Sequence, residues 1–324
     1  MGGGSVSRRG WVLFTLLSVI WGVPYLLIKI ADSGVSVPVL VFARVAGGAA
    51  LLLPIAVRRG QLAALRPYWR WLAVFAVVEI IAPWFLLSDA ERHLSSSLSG
   101  LLIASVPIIG AGLVWLTGDT ERLTAVRWAG LLLGLGGVAL LVGPGARGGD
   151  WWSVTEAMLT ATGYAIGPVV ANRKLAGAPT PGVTAVCLAA ATIAYAPAAA
   201  LTWPAAMPSL RVLAALAGLA VLCTAVSFLL FFRLIAEVGP ARATVITYLN
   251  PVVAVILGVS VLGEPLTAPM VTAFALILAG SVLATRSGVR SLDRASPDEA
   301  SLDRASPDQA SPDQASPDQA SPVR

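Results

Sequence analysis

Apolar runs of about 20 residues, separated by short polar breaks, recur along most of this chain, and a helix of that length crosses the hydrocarbon core of a bilayer. The runs fall at Trp11–Ile30, Val37–Val57, Trp69–Ser88, Leu94–Thr117, Ala125–Val142, Trp152–Val170, Gly182–Trp203, Leu210–Ala236, Ala241–Leu262 and Pro265–Ala284. They predict an all-α polytopic membrane protein with ten transmembrane helices. Residues 1–10 form a short N-terminus. Ser7-Arg8-Arg9-Gly10-Trp11 has the look of a twin-arginine export signal. No small-residue cleavage site follows it, so the run reads as a retained first helix. From residue 287 the pattern stops. Ser-Pro-Asp-Gln-Ala repeats without aromatics cannot bury enough apolar surface to order themselves, which predicts a disordered tail at 287–324.

Composition sharpens this picture. Apolar residues make up 57% of the chain and charged residues 12%, against about 45–50% and about 25% in soluble domains. Such a balance excludes an ordinary soluble enzyme, a disulfide scaffold and a disordered protein. Cys187 and Cys223 both lie inside apolar runs and read as small buried hydrophobes. With His93 the single histidine, no metal or cofactor set is expected. Lys and Arg total 22 against 17 acids. The tail holds four Arg and seven acids, so the positive excess belongs to the membrane part. It implies contact with anionic lipid rather than nucleic acid. Fourteen loop Lys or Arg fall on one side of the ten spans and four on the other. The positive-inside rule then puts both termini in the cytoplasm of a multi-pass cell-membrane protein.

The two halves, 11–143 and 151–285, repeat one another. Val106-Pro107-Ile108 matches Asn250-Pro251-Val252 at an offset of 144. Gly137 and Leu140 match Gly280 and Leu283 at 143, and Trp21 falls on Tyr164 at the same offset. Five spans per half is an odd number, so the second half enters the membrane from the opposite side. Two inverted five-helix repeats are the mark of a carrier that alternates access around a midplane site.

Several of these residues also carry a resemblance. Trp21-Gly22 followed by Lys29, Phe42-Ala43-Arg44, Pro107, the Glu121-Arg122-Leu123-Thr124 turn into Gly136-Gly137-Val138, and Asn250-Pro251-Val252 through Leu262-Gly263-Glu264 resemble the EamA-like family of the drug/metabolite transporter superfamily. The likeness covers residues 11–285 as two tandem repeats. It implies a ten-helix transporter of small metabolites with a central cavity, in a family spanning amino acids, purines, sugars and drugs.

Ionisable groups inside spans are the first candidates for chemistry, because facing lipid is costly. Glu79 lies near the middle of the third span, and desolvation there disfavours a charged carboxyl. It is placed to take a substrate cation or a coupling proton, or else to bond neutral between helices. Arg44 in the second span is placed to pair with Glu79, hold a substrate carboxylate or serve gating. Trp21, Tyr25 and Lys29 are spaced four apart and share one helix face, which makes Lys29 a second candidate for gating. Trp84 and Tyr164 are aromatic candidates for the cavity wall. Pro107 and Pro251 are repeat mates at similar depth, and with Tyr248 and Asn250 they mark the expected centre of the substrate site. Glu156 reads as solvated near a span end. Asp89-Ala90-Glu91-Arg92-His93 reads as a polar turn. Gly130, Gly134 and Gly137, and Gly163 with Gly167, suit close helix contact.

These features favour a secondary carrier of a small organic solute such as an amino acid, amine or drug, working by efflux with possible proton linkage. The partners expected are that solute and membrane lipid, in a monomer or homodimer. Alternatives are a lipid or lipid-linked-sugar translocator and a facilitative exchanger without ion coupling. An enzyme is disfavoured by the single His and the lack of paired intramembrane acids. No GxxxxGK[ST] motif supports an ATP motor.

Overall fold

The computed structural model describes residues 7–116, 124–142, 151–238 and 244–285, and every regular element among them is helical. The first half runs α1 (Arg8–Gly22), α2 (Pro24–Asp32), α3 (Val37–Arg58), α4 (Gln61–Leu65), a 3-10 turn (Arg66–Tyr68), α5 (Trp69–Phe75), a π-helical segment (Ala76–Ile81), α6 (Ala82–His93), α7 (Ser96–Ile103), α8 (Val106–Leu116) and α9 (Ala125–Val142). The second runs α10 (Trp151–Lys174), α11 (Thr180–Leu201), α12 (Leu210–Ala217), a second π-helical segment (Gly218–Val226), α13 (Ser227–Val238), a 3-10 turn (Thr244–Tyr248), α14 (Asn250–Leu262) and α15 (Ala268–Thr285). The Glu121-Arg122-Leu123 part of the expected repeat turn and the 287–324 tail lie outside the described residues.

Among the described residues, six helical runs are long and apolar enough to cross a membrane: Arg8–Asp32, Val37–Arg58, Gln61–His93, Ser96–Leu113, Thr180–Leu201 and Leu210–Val238. Ala125–Leu141, Ile246–Leu262 and Ala268–Ala284 are shorter apolar helices. The outer surface matches a lipid solvent. Trp11, Leu132, Ile193 and Leu201 are all more than half exposed.

Three spans expected as single helices are interrupted. The first breaks at Val23, the fourth at Ala104 and Ser105, and the ninth between the 3-10 turn and Asn250. In each case a proline, Pro24, Pro107 or Pro251, occupies the first or second position of the helix that follows. Proline costs nothing there, because its missing N–H has no intrahelical partner at a helix start. At these positions the chain restarts a helix rather than kinking one.

Helices meet through small residues, as membrane packing demands when burial of apolar surface gives no net drive. α9 and α15 form the closest pair. A Cβ added to Gly130 would lie 2.8 Å from Gly280 O, and one on Gly137 would lie 2.9 Å from Ala273 O. The expected glycine contact of the fifth span is thus made with the tenth. The largest buried cluster joins α2, α3, the first π segment, α6, α11 and α12. A second lies among α6–α10 and α15, and a third between α1 and α13.

Candidate functional site

Arg44 is 7% exposed in the middle of α3. Its guanidinium carbon sits 3.7 Å from the centre of the Trp84 ring, and its Nε donates to Thr224 Oγ1 at 3.2 Å. The Thr224 hydroxyl in turn donates to Leu219 O at 2.8 Å, five residues back along the second π segment. Among the described residues no carboxylate forms an ion pair with Arg44. A buried cation without a paired anion is costly, and stacking on an aromatic face offsets part of that cost when both are desolvated. Tyr25, Tyr164, Glu91 and Cys223 all lie within electrostatic reach of the guanidinium. Bidentate donors facing such surroundings are suited to a carboxylate or another planar anion.

The expected pairing of Arg44 with Glu79 does not form. Glu79 lies in the first π segment and points its carboxylate at α10, where Gly167 makes room for it. A Cβ on Gly167 would overlap Oε2 of Glu79 and lie 2.8 Å from its Cδ. One turn away, Gly163 lets α10 close onto the Val78 carbonyl and the Pro83 ring. Glu79 Oε2 is buried without a hydrogen-bond partner. Tyr164 lies within electrostatic reach of both Arg44 and Glu79. Helix faces, not sequence proximity, decide this arrangement: α3 meets α6 with its Arg44 stripe, while α10 packs along α6 and the π segment.

The repeat symmetry extends to these groups. The two π segments are repeat mates. Arg44 corresponds to Cys187 at an offset of 143, and Glu79 to Cys223 at 144. α3 packs on the second π segment and α11 on the first. Arg44 is within reach of Cys223, and Glu79 within reach of Cys187. Each related interface therefore holds one charged residue and one thiol.

At the far end of α6, Lys29 donates to the main-chain carbonyls of Leu94, at 2.9 Å, and Glu91. A cation among the unsatisfied carbonyls at a helix C-terminus is favoured by the helix dipole. Glu264 caps α7 from the other repeat. Its carboxylate accepts from Ser96 N at 2.7 Å, Ser97 N at 2.9 Å and Ser97 Oγ at 2.6 Å. Arg92 pairs with Asp32 at 3.4 Å and Asp89 at 3.7 Å.

The remaining predicted residues disperse. Tyr25 is buried beside Gly100 and Pro251, where α2, α7 and α14 converge. Trp21 leaves the Tyr25–Lys29 stripe and packs on Phe228 and Phe231 of α13, with ring centres 6.0 and 4.9 Å away. The break at Val23 turns it aside. The Asn250 amide reaches the carbonyls of Ser18 and Ile246, at 3.2 and 2.9 Å. The Tyr248 hydroxyl faces Ser281 O on α15 at 3.5 Å. Beside Pro107, Ile108 packs against Gly134 of α9. Glu156, expected in solvent, is 2% exposed, because α10 packs that face on α6–α8.

Glu91 was hidden in the expected polar turn. The turn is instead the last turn of α6, and Glu91 is fully buried. Trp84, Ser88 and Glu91 share one helix face at i, i+4 and i+7, and that stripe is the signal that marks Glu91 as inward. Among the described residues no cluster of three or more His, Cys, Asp or Glu is placed to hold a metal.

Comparison with known proteins fits this arrangement. The model of the EamA-like transporter family matches residues 8–143 and again 151–286. The chain is 28% identical over 273 residues to the uncharacterized inner membrane transporter YedA of Escherichia coli strain K12, covering 83% of this chain and 88% of that one. It is 24% identical over 282 residues to the uncharacterized transporter YvbV of Bacillus subtilis strain 168, covering 84% and 90%. A solved crystal structure superposes with a TM-score of 0.61 at 22% identity, over 87% of this chain and 97% of the other, a likeness of fold.

Proposed function

Because the chain belongs to the EamA-like transporter family, we propose that this membrane transporter is a proton-linked secondary carrier that exports a small organic solute such as an amino acid, amine or drug. Both termini lie in the cytoplasm in this reading, following the loop charge bias, so the Lys29 end of the protein faces outward. Arg44 holds an anionic or planar group of the solute against Trp84. Glu79 carries the coupling proton, and Tyr164 lies between the two. The observation that carries this reading is the separation of Arg44 from Glu79. Among the described residues, two buried ionisable groups of opposite sign remain without an ion-pair partner at contact distance, each in its own repeat-related interface. A structural ion pair would have joined them, whereas a carrier needs one for the solute and one for the coupling ion.

The test is flux in proteoliposomes. Radiolabelled amino acids and amines are followed with and without an imposed pH gradient, in wild type and Glu79→Gln. The expected result is solute counterflow preserved in the variant and the response to the pH gradient lost. A folded, active Glu79→Gln protein with an unchanged pH response removes the coupling role. It leaves facilitated exchange through the same centre.

A further inference from the structure

Between α3 and α11 the surface carries an apolar groove of about 600 Å³. Gly182, at the start of α11, lies against Gln61 of α4, so the two helices run antiparallel. At one end of the groove Ala46, Ala49 and Ala50 meet Ala189, Thr192 and Ile193, their repeat mates at an offset of 143. Thr192 spends its hydroxyl on Leu188 O at 2.8 Å, which leaves this wall apolar. Beyond these residues only α3 continues the lining, through Pro54 to Arg58. The repeat mate of Arg58 is Leu201, which is 88% exposed and lies outside the groove. The helix pair is symmetric, but the groove runs one way and ends in a charge.

Its length fits one leaflet of a membrane. Ala46 stands near the midpoint of α3, and Arg58 is the last residue of that helix, about 18 Å further along its axis. Half of a hydrocarbon core is about 15 Å thick. A helix from a second copy of the chain would cross about 30 Å and would need a groove through both leaflets. An acyl chain needs only one. The charged end selects the headgroup. Arg58 and Arg59 are both exposed, and among the described residues neither forms an ion pair. Asp and Glu are absent from 33–78 and 157–236, which contain all of α3, α4, α5 and α11. The counter-charge must come from outside these helices, and a lipid phosphate lies at that depth.

We propose that the α3–α11 groove holds an anionic phospholipid in the leaflet at the Arg58 end. One acyl chain lies along Ala50 and Pro54, and the phosphate rests on Arg58 and Arg59. Because α3 and α11 belong to different repeats, the bound lipid bridges them and stabilises the folded chain. The site does not depend on which solute is carried.

The experiment uses the purified full chain in detergent, titrated with phosphatidylglycerol or with phosphatidylcholine of identical acyl chains. Melting curves give the apparent affinity for each lipid. Each arginine near the headgroups strengthens anionic-lipid binding by about fivefold, so phosphatidylglycerol is expected to bind about tenfold or more tightly than phosphatidylcholine. Arg58→Gln with Arg59→Gln is expected to lower phosphatidylglycerol to the affinity of phosphatidylcholine and to leave the latter unchanged. Arg70→Gln, at the same end of the protein but outside the groove, is expected to keep the preference. Ala50 is exposed, so Ala50→Trp fills the groove without entering the core and is expected to weaken both lipids. Equal affinity of the two lipids for wild type overturns the site, as does a preference that survives the double arginine change. A preference lost equally in Arg70→Gln also overturns it, and makes the attraction a general one of the basic surface. Lipid binding unaltered by Ala50→Trp shows that the groove holds no acyl chain. A dimer that Ala50→Trp dissociates assigns the groove to a second copy of the chain instead. The arginine changes, at exposed positions, decide the matter if Ala50→Trp does not fold.

Discussion

Where α3 meets the second π segment, Arg44 lies near Cys223 and donates to Thr224. Where α11 meets the first, Cys187 lies near Glu79 and its thiol donates to Leu72 O at 3.6 Å. The two interfaces are related by the sequence repeat and share their backbone plan, down to the π turns. Their chemistry is opposite: a cation with a hydroxyl on one side, an acid against a glycine on the other. In the carrier reading proposed above, the symmetric frame lets the two halves exchange roles during alternating access, and the unlike charges give solute and coupling ion different seats. The wider π turn suits both uses. It disrupts the regular bonding of a helix at the point where a side chain must be presented, and such turns are frequent at functional sites.

The comparison breaks most severely if the acid side is filled. Gly167→Leu puts a side chain where the Glu79 carboxylate lies. Overpacking of this kind costs about 1–3 kcal/mol, and α10 must also draw away from the π segment. The expected outcome is loss of transport and a melting temperature lowered by several degrees in detergent. Combining it with Glu79→Ala is expected to recover much of the stability but none of the pH-gradient response. That non-additivity is the signature of direct contact. A double variant no more stable than Gly167→Leu alone shows that the glycine serves some other neighbour.

The cation side gives the next largest effect. Arg44→Lys keeps the charge but loses the planar group that stacks on Trp84 and the paired donors. Solute affinity in counterflow is expected to fall about tenfold, the equivalent of about 1.4 kcal/mol. The repeat mate is expected to be silent, with Cys187→Ala within about twofold of wild type. Equal losses at both positions demonstrate that position in the repeat, rather than charge, carries the effect.

How much of this was legible in the sequence follows from the range of each interaction. The apolar runs, the repeat offsets and the inward placement of Arg44, Tyr25 and Trp84 rest on local periodicity or hydropathy. The structure is helical through the described parts of these runs, six of them long and apolar enough to cross a membrane, and it buries Arg44, Tyr25 and Trp84. Helix ends are harder to read. Glu91 stands between half-buried Asp89 and exposed Arg92, and a cluster of charges reads as a turn unless the stripe from Trp84 is followed past it. The pairing of faces cannot be read locally at all. Arg44 and Glu79 are both mid-span, yet the helix faces they lie on send one to Trp84 and the other to Gly167. Trp21 was placed with Tyr25 by spacing alone, and a break at Val23 is enough to send it to Phe228. The π segments have no sequence signature, because they arise where tertiary packing outweighs a regular helical turn.

The smallest expected effect tests whether the cation side is a built seat or a residue stacked by chance. Thr224 accepts from Arg44 Nε and donates to Leu219 O, which ties the guanidinium to the π turn. Thr224→Val has nearly the same shape and removes both bonds. Each such bond contributes about 0.5–1.5 kcal/mol net, and a buried donor left unmatched costs about 1–3 kcal/mol. Arg44 would recover part of this by shifting over Trp84, so a three- to tenfold loss of solute affinity is expected, with little change in melting temperature. Thr224→Ser retains the hydroxyl and is expected to retain the affinity. A second change on the cation side, Cys223→Ala at the repeat mate of Glu79, removes no hydrogen bond to a charged group and is expected to leave both affinity and pH response intact. If Thr224→Val also leaves affinity intact, Trp84 alone orients the guanidinium. The hydroxyl then serves the π turn, and the asymmetry between the two interfaces reduces to the charges themselves.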